Sequence, residues 1–466
     1  MLSLRSPYSF LPILLCIVTF GFLFRRLGTP AAPPPPPPPE IKELRYKAEG
    51  KPPPPPLPEF FPLAANAQSP ADLPPIPSWN KPPSPHVPEK TRLYIGFTRY
   101  WPLLQQVVLS YITGGWPPED IYIVENTGTF DANRYGRLSS QNPFFLNYTR
   151  LTQVYGVNVI TMPSLQTFAQ LQNFYLSEAI HHGLQYYFWG HMDVMLLPHE
   201  DKTPYKSIYE IAVDTIRESM TPDFGIDEAT GEKKTWAIRF FAYDWFALVN
   251  AEAFQKIGGW DSMVGYYGTD CDMHGRISMN NMITPIADAA DVWDVSDSVE
   301  DLEILYRRVK KDGTSTPKRA IEERADASTS DTDSDRDPRK NDTAFGPGLS
   351  STPPSSPGST PPELQSYLSS TTPDERGSAT YFSLKEKFEK MQTAKREDKF
   401  RNSWQLKQRG GQGEPYYYDA DGWETALQMT VDAGMKINEE KWGHRGCDLS
   451  KVRKQGDQWR VEHDWE

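Results

Sequence analysis

The chain between residues 92 and 190 alternates short apolar runs with longer segments of helical periodicity. The apolar runs, rich in β-branched and aromatic residues, predict strands at 92–98, 121–124, 157–162 and 186–190. Apolar residues spaced by three and four predict helices at 103–113 and 168–182. Strands that alternate with helices predict an α/β fold, in which a mainly parallel central sheet carries helices on both faces.

The same pattern continues to residue 257, and a polar stretch begins further along the chain, at residue 310. It predicts a helix at 207–219, one or two strands at 236–249, and a helix at 251–257 that Gly258 and Gly259 end. Residues 310–380 are rich in Ser, Thr, Pro and Asp, which predicts a disordered insertion. Aromatic residues return at 381–466, so this C-terminal segment is expected to pack on the body at 90–309.

The N-terminus carries an apolar run at 10–24 that Arg25 and Arg26 close. The run predicts a signal anchor over 10–27 behind a cytoplasmic tail at 1–9. A cleaved secretory signal is the alternative, because small residues follow at 29–32. The two arginines weigh against a cytoplasmic N-terminus, so the orientation is inferred from the segments that follow.

Residues 28–89 hold about half of the 44 prolines and predict an extended stem. Asn147 and Asn341 lie in glycosylation sequons, which favour a body on the lumenal side. Anchor, stem and sequons together predict a single-pass type II protein of the Golgi or endoplasmic reticulum membrane, with the body in the lumen.

Composition narrows the class of protein further. The net charge of −12, from 61 acidic and 49 basic residues, excludes a general nucleic-acid binder, since no local basic stripe overrides it. Aromatic residues make up 12% of the chain, which requires a packed core. Three cysteines are too few for a disulfide scaffold; Cys271 and Cys447 could pair internally, and the sequence leaves this open.

Two polar segments follow predicted apolar elements and are candidates for chemistry. His191 and Asp193 come directly after the strand at 186–190, where ligands bind in open α/β sheets. An imidazole and a carboxylate two residues apart could hold a divalent cation, with Mn²⁺ suited at least as well as Mg²⁺. A strand end with two solvated polar residues and no metal is the alternative.

The second segment, at 258–276, places Asp270 and Asp272 at the start of a predicted helix. Simple capping of that helix would explain Asp270. It would not explain the aromatic residues just before it, which could form a flat surface for a sugar ring. These residues are Trp260, Tyr266 and Tyr267.

In this order and separation, the two segments resemble the GT-A fold of nucleotide-sugar glycosyltransferases, most like family 2 enzymes and the C-terminal module of the β-galactosyltransferases. The resemblance covers about residues 92–297. Residues 191–193 match the Asp-x-Asp motif of that family, and residues 246–261 are the most specific stretch. Two positions depart from the pattern, because His191 stands where Asp is usual and Thr269 where Glu is usual.

The resemblance implies transfer of a sugar from a nucleotide-diphosphate donor to a glycan or glycoconjugate acceptor, with inversion. It implies a divalent cation, Mn²⁺ or Mg²⁺, held by Asp193 and His191, and Asp270 as the general base. It implies further contacts to the acceptor from Asp272 and the three aromatic residues. For a third metal ligand it offers Asp294, His274 or His444 without a choice among them.

The resemblance also implies, by position alone, that Thr98, Arg99 and Glu125 contact the nucleotide. A solvated loop cation at 99 and a turn residue at 125 are the alternatives. Two other classes of function stay open at this point. One is a catalytically silent GT-A module that acts as a lumenal binding or scaffolding protein; the other is a polysaccharide hydrolase, which needs a carboxylate pair at a set separation.

Overall fold

The apolar runs of the sequence form strands in the computed structural model of the protein. The structure describes residues 17–20, 57–311, 360–397, 405, 408–415, 417, 419–447, 458–460 and 462–465. Within these residues the strands are β1 Leu93–Phe97, β2 Ile121–Glu125, β3 Asn158–Thr161, β4 Tyr186–Gly190, β5 Val194–Leu197, β6 Ile238–Ala242, β7 Phe246–Asn250, β8 Asp291–Asp294, β9 Arg308–Lys310 and β10 Thr371–Pro373.

Six of the described strands make one sheet, in the order β3-β2-β1-β4-β7-β6. Strands β3, β2, β1 and β4 are mutually parallel. Strand β7 is antiparallel to both β4 and β6, so β6 runs in the same direction as the first four. The predicted mainly parallel central sheet is confirmed, with β7 as the reversed strand.

Helices cover the two faces of this sheet. The helices among the described residues are α1 Pro62–Asn66, α2 Trp101–Thr113, α3 Phe168–His181, α4 Ile208–Ser219, α5 Ala251–Lys256, α6 Thr269–Met279, α7 Pro362–Ser370, α8 Ala379–Glu397 and α9 Ala420–Trp442. Shorter turns of helix lie at Pro70–Asp72, Ser78–Asn80, Pro118–Asp120, Arg150–Tyr155 and Leu302–Tyr306. Side-chain oxygens of Thr167, Ser207 and Asn250 accept backbone N–H groups at the starts of α3, α4 and α5, which fixes where these helices begin.

Alternate residues of each strand enter separate hydrophobic cores. In β1, Leu93, Ile95 and Phe97 pack with α2 and α4, whereas Tyr94 packs with α3 on the opposite face. Because side chains of a strand alternate between faces, a sheet covered on both sides needs apolar residues at every position. This is why the strands appear in the sequence as continuous apolar runs.

The C-terminal boundary predicted for the stem, residues 28–89, lies too far along the chain. Phe61 is fully buried in the main core and Ala64 lies beside it. Asn80 donates a hydrogen bond from Nδ2 to the carbonyl oxygen of Thr113, at 2.8 Å. Residues from about 57 onward therefore belong to the folded body, because apolar side chains scattered among the prolines bury themselves against α2 and its neighbours.

The disordered insertion predicted at 310–380 also extends too far. Residues 362–370 form helix α7, with Leu364 buried, and β10 pairs antiparallel with β9 through Thr371 and Lys310. Backbone pairing orders this polar strand even though it offers few apolar side chains to bury. The insertion's residues 312–359 lie outside the described residues.

The C-terminal segment contacts the body through two helices. Helix α8 packs against β8, where Phe388 lies 5.6 Å from Trp293 between ring centroids. Helix α9 packs along residues 261–272, with Gly434 so close to Gly265 that a Cβ at 434 would lie 3.0 Å from the backbone nitrogen of Gly265. The residues that follow α9 are joined to α6 by the Cys271–Cys447 disulfide.

The N-terminal unit, Met1–Glu49, is separate from the unit that contains the sheet, Gly50–Glu466. Its described residues, 17–20, are helical and exposed. The rest of the anchor predicted at 10–27 lies outside the described residues. None of the helices among the described residues has the length and apolar character needed to cross a membrane.

Candidate functional site

The predicted functional residues follow strands that end at one edge of the sheet. Glu125 is the last residue of β2, Arg99 follows β1, and His191 follows β4. These strands are parallel neighbours, so their carboxyl ends meet at the same edge. We call this edge, with the loops that leave it, the carboxyl edge. Ligands of open α/β sheets bind at such edges.

His191 and Asp193 lie side by side at the carboxyl edge. Nδ1 of His191 is 3.7 Å from Oδ1 of Asp193. The imidazole is flanked by the rings of Phe168 and Trp189, at 5.7 and 5.4 Å between centroids. Its Nε2 is buried and has no hydrogen-bond partner among the described residues. The pair is thus a half-buried imidazole–carboxylate contact in an aromatic setting.

Strand pairing brings a second carboxylate next to Asp193. Strand β5 begins directly after Asp193 and pairs antiparallel with β8, so that Val194 lies opposite Asp294. The backbone N–H of Val295 donates to the carbonyl oxygen of Asp193 at 2.9 Å. Of the three candidates for a third ligand, Asp294 is therefore the one that adjoins Asp193.

The charge of the two aspartates is taken up by a lysine of α8. Nζ of Lys395 donates to Oδ2 of Asp193 at 2.7 Å and to Oδ1 of Asp294 at 2.6 Å. It also lies 3.1 Å from the carbonyl oxygen of Val295. The lysine side chain is 1% exposed. A buried ammonium thus fills the position between the carboxylates.

A divalent cation does not fit this arrangement. An ion between Asp193 and Asp294 would overlap the ammonium, and two like charges at that distance repel each other. Within the described ranges, His191, Asp193 and Asp294 also do not form a cluster of three converging ligand atoms. The metal expected at His191 and Asp193 is therefore not supported by the side chains in this structure.

Asp270 lies near the beginning of α6 and is partly exposed. Gly268 is the residue that precedes the helix, with a φ of 86°, and Asp270 makes no cap at this terminus. Its Oδ2 instead accepts a hydrogen bond from the hydroxyl of Tyr243, at 2.8 Å. Capping therefore does not explain this carboxylate.

The turn between β6 and β7 links Asp270 to His191. Tyr243 of this turn bonds Asp270, and the carbonyl oxygen of Trp245 accepts the backbone N–H of His191 at 3.0 Å. Since β7 runs against β4, the turn falls at the carboxyl edge. The two segments that the sequence singled out therefore approach the same hairpin turn.

Asp272, which the sequence places at the acceptor, is instead buried where α6 meets α9. It is fully buried, and its two oxygens accept from Nε of Arg276 at 2.8 Å and Nε1 of Trp442 at 3.1 Å. Nζ of Lys441 lies 2.5 Å from Oδ1. Because Asp272 faces into the helix interface and Asp270 faces out, a spacing of two residues separates the carboxylates on α6.

The three aromatic residues expected at the acceptor differ in exposure. Trp260 is buried at 5.5 Å from the ring of Phe168 and 5.9 Å from that of Phe254, so it packs in the core rather than forming a sugar platform. Tyr266 is half-buried, and burial raises the pKa of its hydroxyl. Tyr267 is exposed and remains a candidate for contact with an acceptor.

The residues expected at the nucleotide are engaged by other parts of the chain. Arg99 is buried, forms an ion pair with Glu424 and lies 4.6 Å from the centroid of Trp423. Nη2 of Arg99 also donates to Oε1 of Gln405, at 2.6 Å. Segments around α9 therefore cover the guanidinium of Arg99. It is neither a solvated loop cation nor a side chain open to a nucleotide.

Glu125 is similarly satisfied within the body. Its Oε1 accepts from the hydroxyl of Thr127 at 3.1 Å and from Nδ2 of Asn133 at 2.7 Å, and Oε2 accepts from the hydroxyl of Tyr148. It is buried rather than a turn residue in solvent. Thr98 is half-buried beside it at the carboxyl edge.

The other two metal-ligand candidates lie away from Asp193. His444 pairs with Asp464 through Nδ1. His274 stacks on Tyr243, with ring centroids 5.9 Å apart, and burial lowers its pKa although the charge of Asp270 opposes the shift. Neither imidazole is among the described partners of Asp193 or Asp294.

Sequence reasoning missed Lys395 and Tyr243. Lys395 lies in a charged helix without a motif, and the opposite charges that explain it are about a hundred residues or more away along the chain. Tyr243 lies in a hairpin turn whose partner, Asp270, is 27 residues further on. No local pattern marks either residue.

Comparison with solved structures returns glycosyltransferases with little sequence identity. The catalytic domain of Drosophila beta1,4galactosyltransferase 7 is 14% identical over 43% of this chain and 65% of its own, with a TM-score of 0.24. A mannosyltransferase of Pyrobaculum calidifontis, in complex with GDP-Man and Mn²⁺, is 17% identical over 46% and 60%, with a TM-score of 0.27. GalNAc-T7, with UDP, GalNAc and Mn²⁺, is 12% identical over 46% and 45%, with a TM-score of 0.29.

In each case the aligned region spans less than two thirds of the matched structure. TM-scores this low do not establish a common fold. Neither a protein-family model nor a curated protein matches the chain.

Proposed function

We propose that the protein is a glycosyltransferase that moves a sugar from a nucleotide-diphosphate donor to a hydroxyl of a glycan or glycoconjugate, with inversion. One observation carries the proposal: the two segments that resemble the GT-A motifs, far apart in sequence, approach one hairpin turn at the carboxyl edge. The resemblance of residues 246–261 to the family pattern supports the same class.

Asp270 is the proposed general base. Its carboxylate would take the proton from the acceptor hydroxyl as that oxygen attacks the sugar carbon and the bond to the donor phosphate breaks. The Tyr243 hydroxyl donates a hydrogen bond to Oδ2 of Asp270 and so holds the carboxylate in one orientation. Burial and the charge of Asp270 raise the pKa of Tyr243, so the phenol stays protonated as a donor at neutral pH.

The experiment is a screen of nucleotide-sugar donors with the purified chain, in which hydrolysis and transfer are measured together. We expect one donor to be consumed by the wild-type protein. Asp270→Asn should bind that donor as wild type does while turnover falls by roughly two to four orders of magnitude, because an amide cannot accept the proton. The matched control is Asp261→Asn, in the loop that precedes α6, whose Oδ2 accepts from Lys441 at 2.6 Å.

A second candidate, a catalytically silent lumenal binding module, is favoured by a specific observation. Arg99 and Asp193, both expected to contact the donor, are engaged by Glu424 and Lys395 of the same chain. Such a module would consume none of the donors in the screen. Normal turnover of Asp270→Asn would also contradict the enzymatic proposal as it is stated.

A further inference from the structure

Three oxygen atoms converge on one buried point beneath α8. They are Oδ2 of Asp193, Oδ1 of Asp294 and the carbonyl oxygen of Val295, at 2.7, 2.6 and 3.1 Å from Nζ of Lys395. We call these three atoms the oxygen cage. Carboxylate and carbonyl oxygens are the ligands that hard divalent cations prefer. The cage therefore has the ligand atoms of a metal site but holds an ammonium.

The cage and its lysine are both fixed by the fold. The β5–β8 pairing holds the two aspartates side by side. Gln392, one turn before Lys395 on α8, accepts the backbone N–H of Asp294 through Oε1, at 2.9 Å. Phe388 packs on Trp293 another turn earlier. Two positions along α8 therefore hold the lysine over the cage.

We propose that Lys395 is the resident cation of this site and takes the place of a divalent metal. A lysine and a metal ion cannot share the cage, because their charges repel and their positions coincide. The ammonium offsets part of the charge of the two carboxylates without any ion from solution. If the protein has the proposed function, the donor should bind and react as well in the presence of a metal chelator as in its absence. This consequence rests on the proposed function.

The test measures metal binding alone, without a donor, so its outcome is independent of whether the chain transfers sugar. Full-length wild type, Lys395→Met and the control Lys390→Met are titrated with Mn²⁺ by calorimetry and by electron paramagnetic resonance. Lys390 lies on the same helix, is 73% exposed and pairs with Glu386, so its loss removes a charge but leaves the cage unchanged.

We expect Lys395→Met to gain one Mn²⁺ site that is at least tenfold tighter than any site in wild type or Lys390→Met. Adding Asp193→Asn to Lys395→Met should abolish the gained site, because a cage carboxylate is lost. If wild type already binds Mn²⁺ as tightly as Lys395→Met does, the proposal is overturned, because the lysine then does not exclude the metal. Absence of a gained site in Lys395→Met would overturn it too, since the cage would then not be a cation site.

Loss of Lys395 leaves two carboxylates facing each other, so the variant is expected to be less stable. Lys395→Gln, which keeps hydrogen-bond donors at this position, serves as a second variant. The melting temperature of both variants should rise with Mn²⁺ and that of wild type should not. If Mn²⁺ stabilises wild type as much as the variants, the lysine does not replace the metal.

Discussion

Two aspartates on the first turn of α6 show how one residue's surroundings set its role. Asp270 is partly exposed and bonded to the Tyr243 hydroxyl, whereas Asp272 is fully buried against Arg276 and Lys441. The sequence assigns both to the site because both are carboxylates in one motif. Burial and partners separate them into a candidate base and a structural ion.

The first prediction concerns these two residues. Asp272→Asn should lower the free energy of unfolding by about 3–5 kcal/mol, because it leaves buried cations without their counter-charge. Asp270→Asn should change it by less than about 1 kcal/mol, since the residue is partly exposed. Urea unfolding of both variants checks this, and equal destabilisation by the two substitutions would contradict the assignment of roles.

The second prediction is a pH dependence that comes from His199. Burial lowers the pKa of His199, but hydrogen bonds and charge from Asp291 and Asp288 outweigh it, so the net shift is upward from 6.5. Nε2 of His199 lies 2.6 Å from Oδ1 of Asp288. When folding raises the pKa of a group, protonation of that group stabilises the folded state. This stabilisation is fully present at a pH below the pKa of the unfolded state and is lost as pH rises through the pKa of the folded state.

We therefore expect the melting temperature to fall as pH rises above about 6.5, through the titration of His199. His199→Gln should flatten this part of the profile, and Asp288→Asn should reduce its slope. Thermal unfolding of the three proteins between pH 5.5 and 8.5 measures the effect. An unchanged slope in His199→Gln would assign the dependence to another group.

At the scale of elements, the position of the site follows from strand direction. Strands β1, β2 and β4 end together because they are parallel, and the β6–β7 turn joins them because β7 is reversed. Pairing of β5 with β8 then places Asp294 beside Asp193. Helices α8 and α9 cover this edge from the C-terminal segment.

The third prediction concerns the polar segment between β9 and β10. Deleting 325–359 should leave the melting temperature within about 1 °C of wild type, because so polar a sequence buries little apolar surface. Deleting 325–373 should lower it by several degrees, because α7, its buried Leu364 and the β9–β10 pairing are lost. Thermal unfolding and limited proteolysis of the two variants compare them; equal melting temperatures would show that α7 and β10 contribute nothing.

At the scale of the whole molecule, the folded body extends from about residue 57 to the C-terminal helices and is closed by Cys271–Cys447. Disulfides persist in oxidising compartments, and the lumen that the sequence predicts for the body would be one of them. Asn147 is half-buried with its sequon Thr149 exposed, and Asn341 lies outside the described residues.

The fourth prediction is that the chain is a membrane-anchored glycoprotein of the secretory pathway. After carbonate extraction the full chain should remain with the membrane pellet, and endoglycosidase should increase its electrophoretic mobility. Asn147→Gln should remove part of that shift, since the sequon at 341 is expected to carry the rest. Release into the carbonate supernatant would favour the cleaved signal, and an unchanged shift in Asn147→Gln would exclude a glycan at this residue.

The sequence by itself determined the α/β class, most element positions and the edge where the site lies. These follow from local periodicity and from the rule that parallel strands end together, and both can be read from consecutive residues. It also marked Asp270 and Asp193 as residues with chemistry. The N-terminal boundary of the body could not be read in this way, because Phe61 gains its burial from residues of the main core that are distant in sequence.

Only the tertiary structure decided which charges neutralise each other. Lys395 reaches Asp193 across 202 residues of sequence and Asp294 across 101, and Glu424 reaches Arg99 across 325. Electrostatic attraction depends on distance in space, and a polar helix carries no local pattern that reveals which carboxylate its lysine will meet. For that reason the sequence predicted a metal ion held by Asp193 and His191, whereas the folded chain places its own ammonium between Asp193 and Asp294.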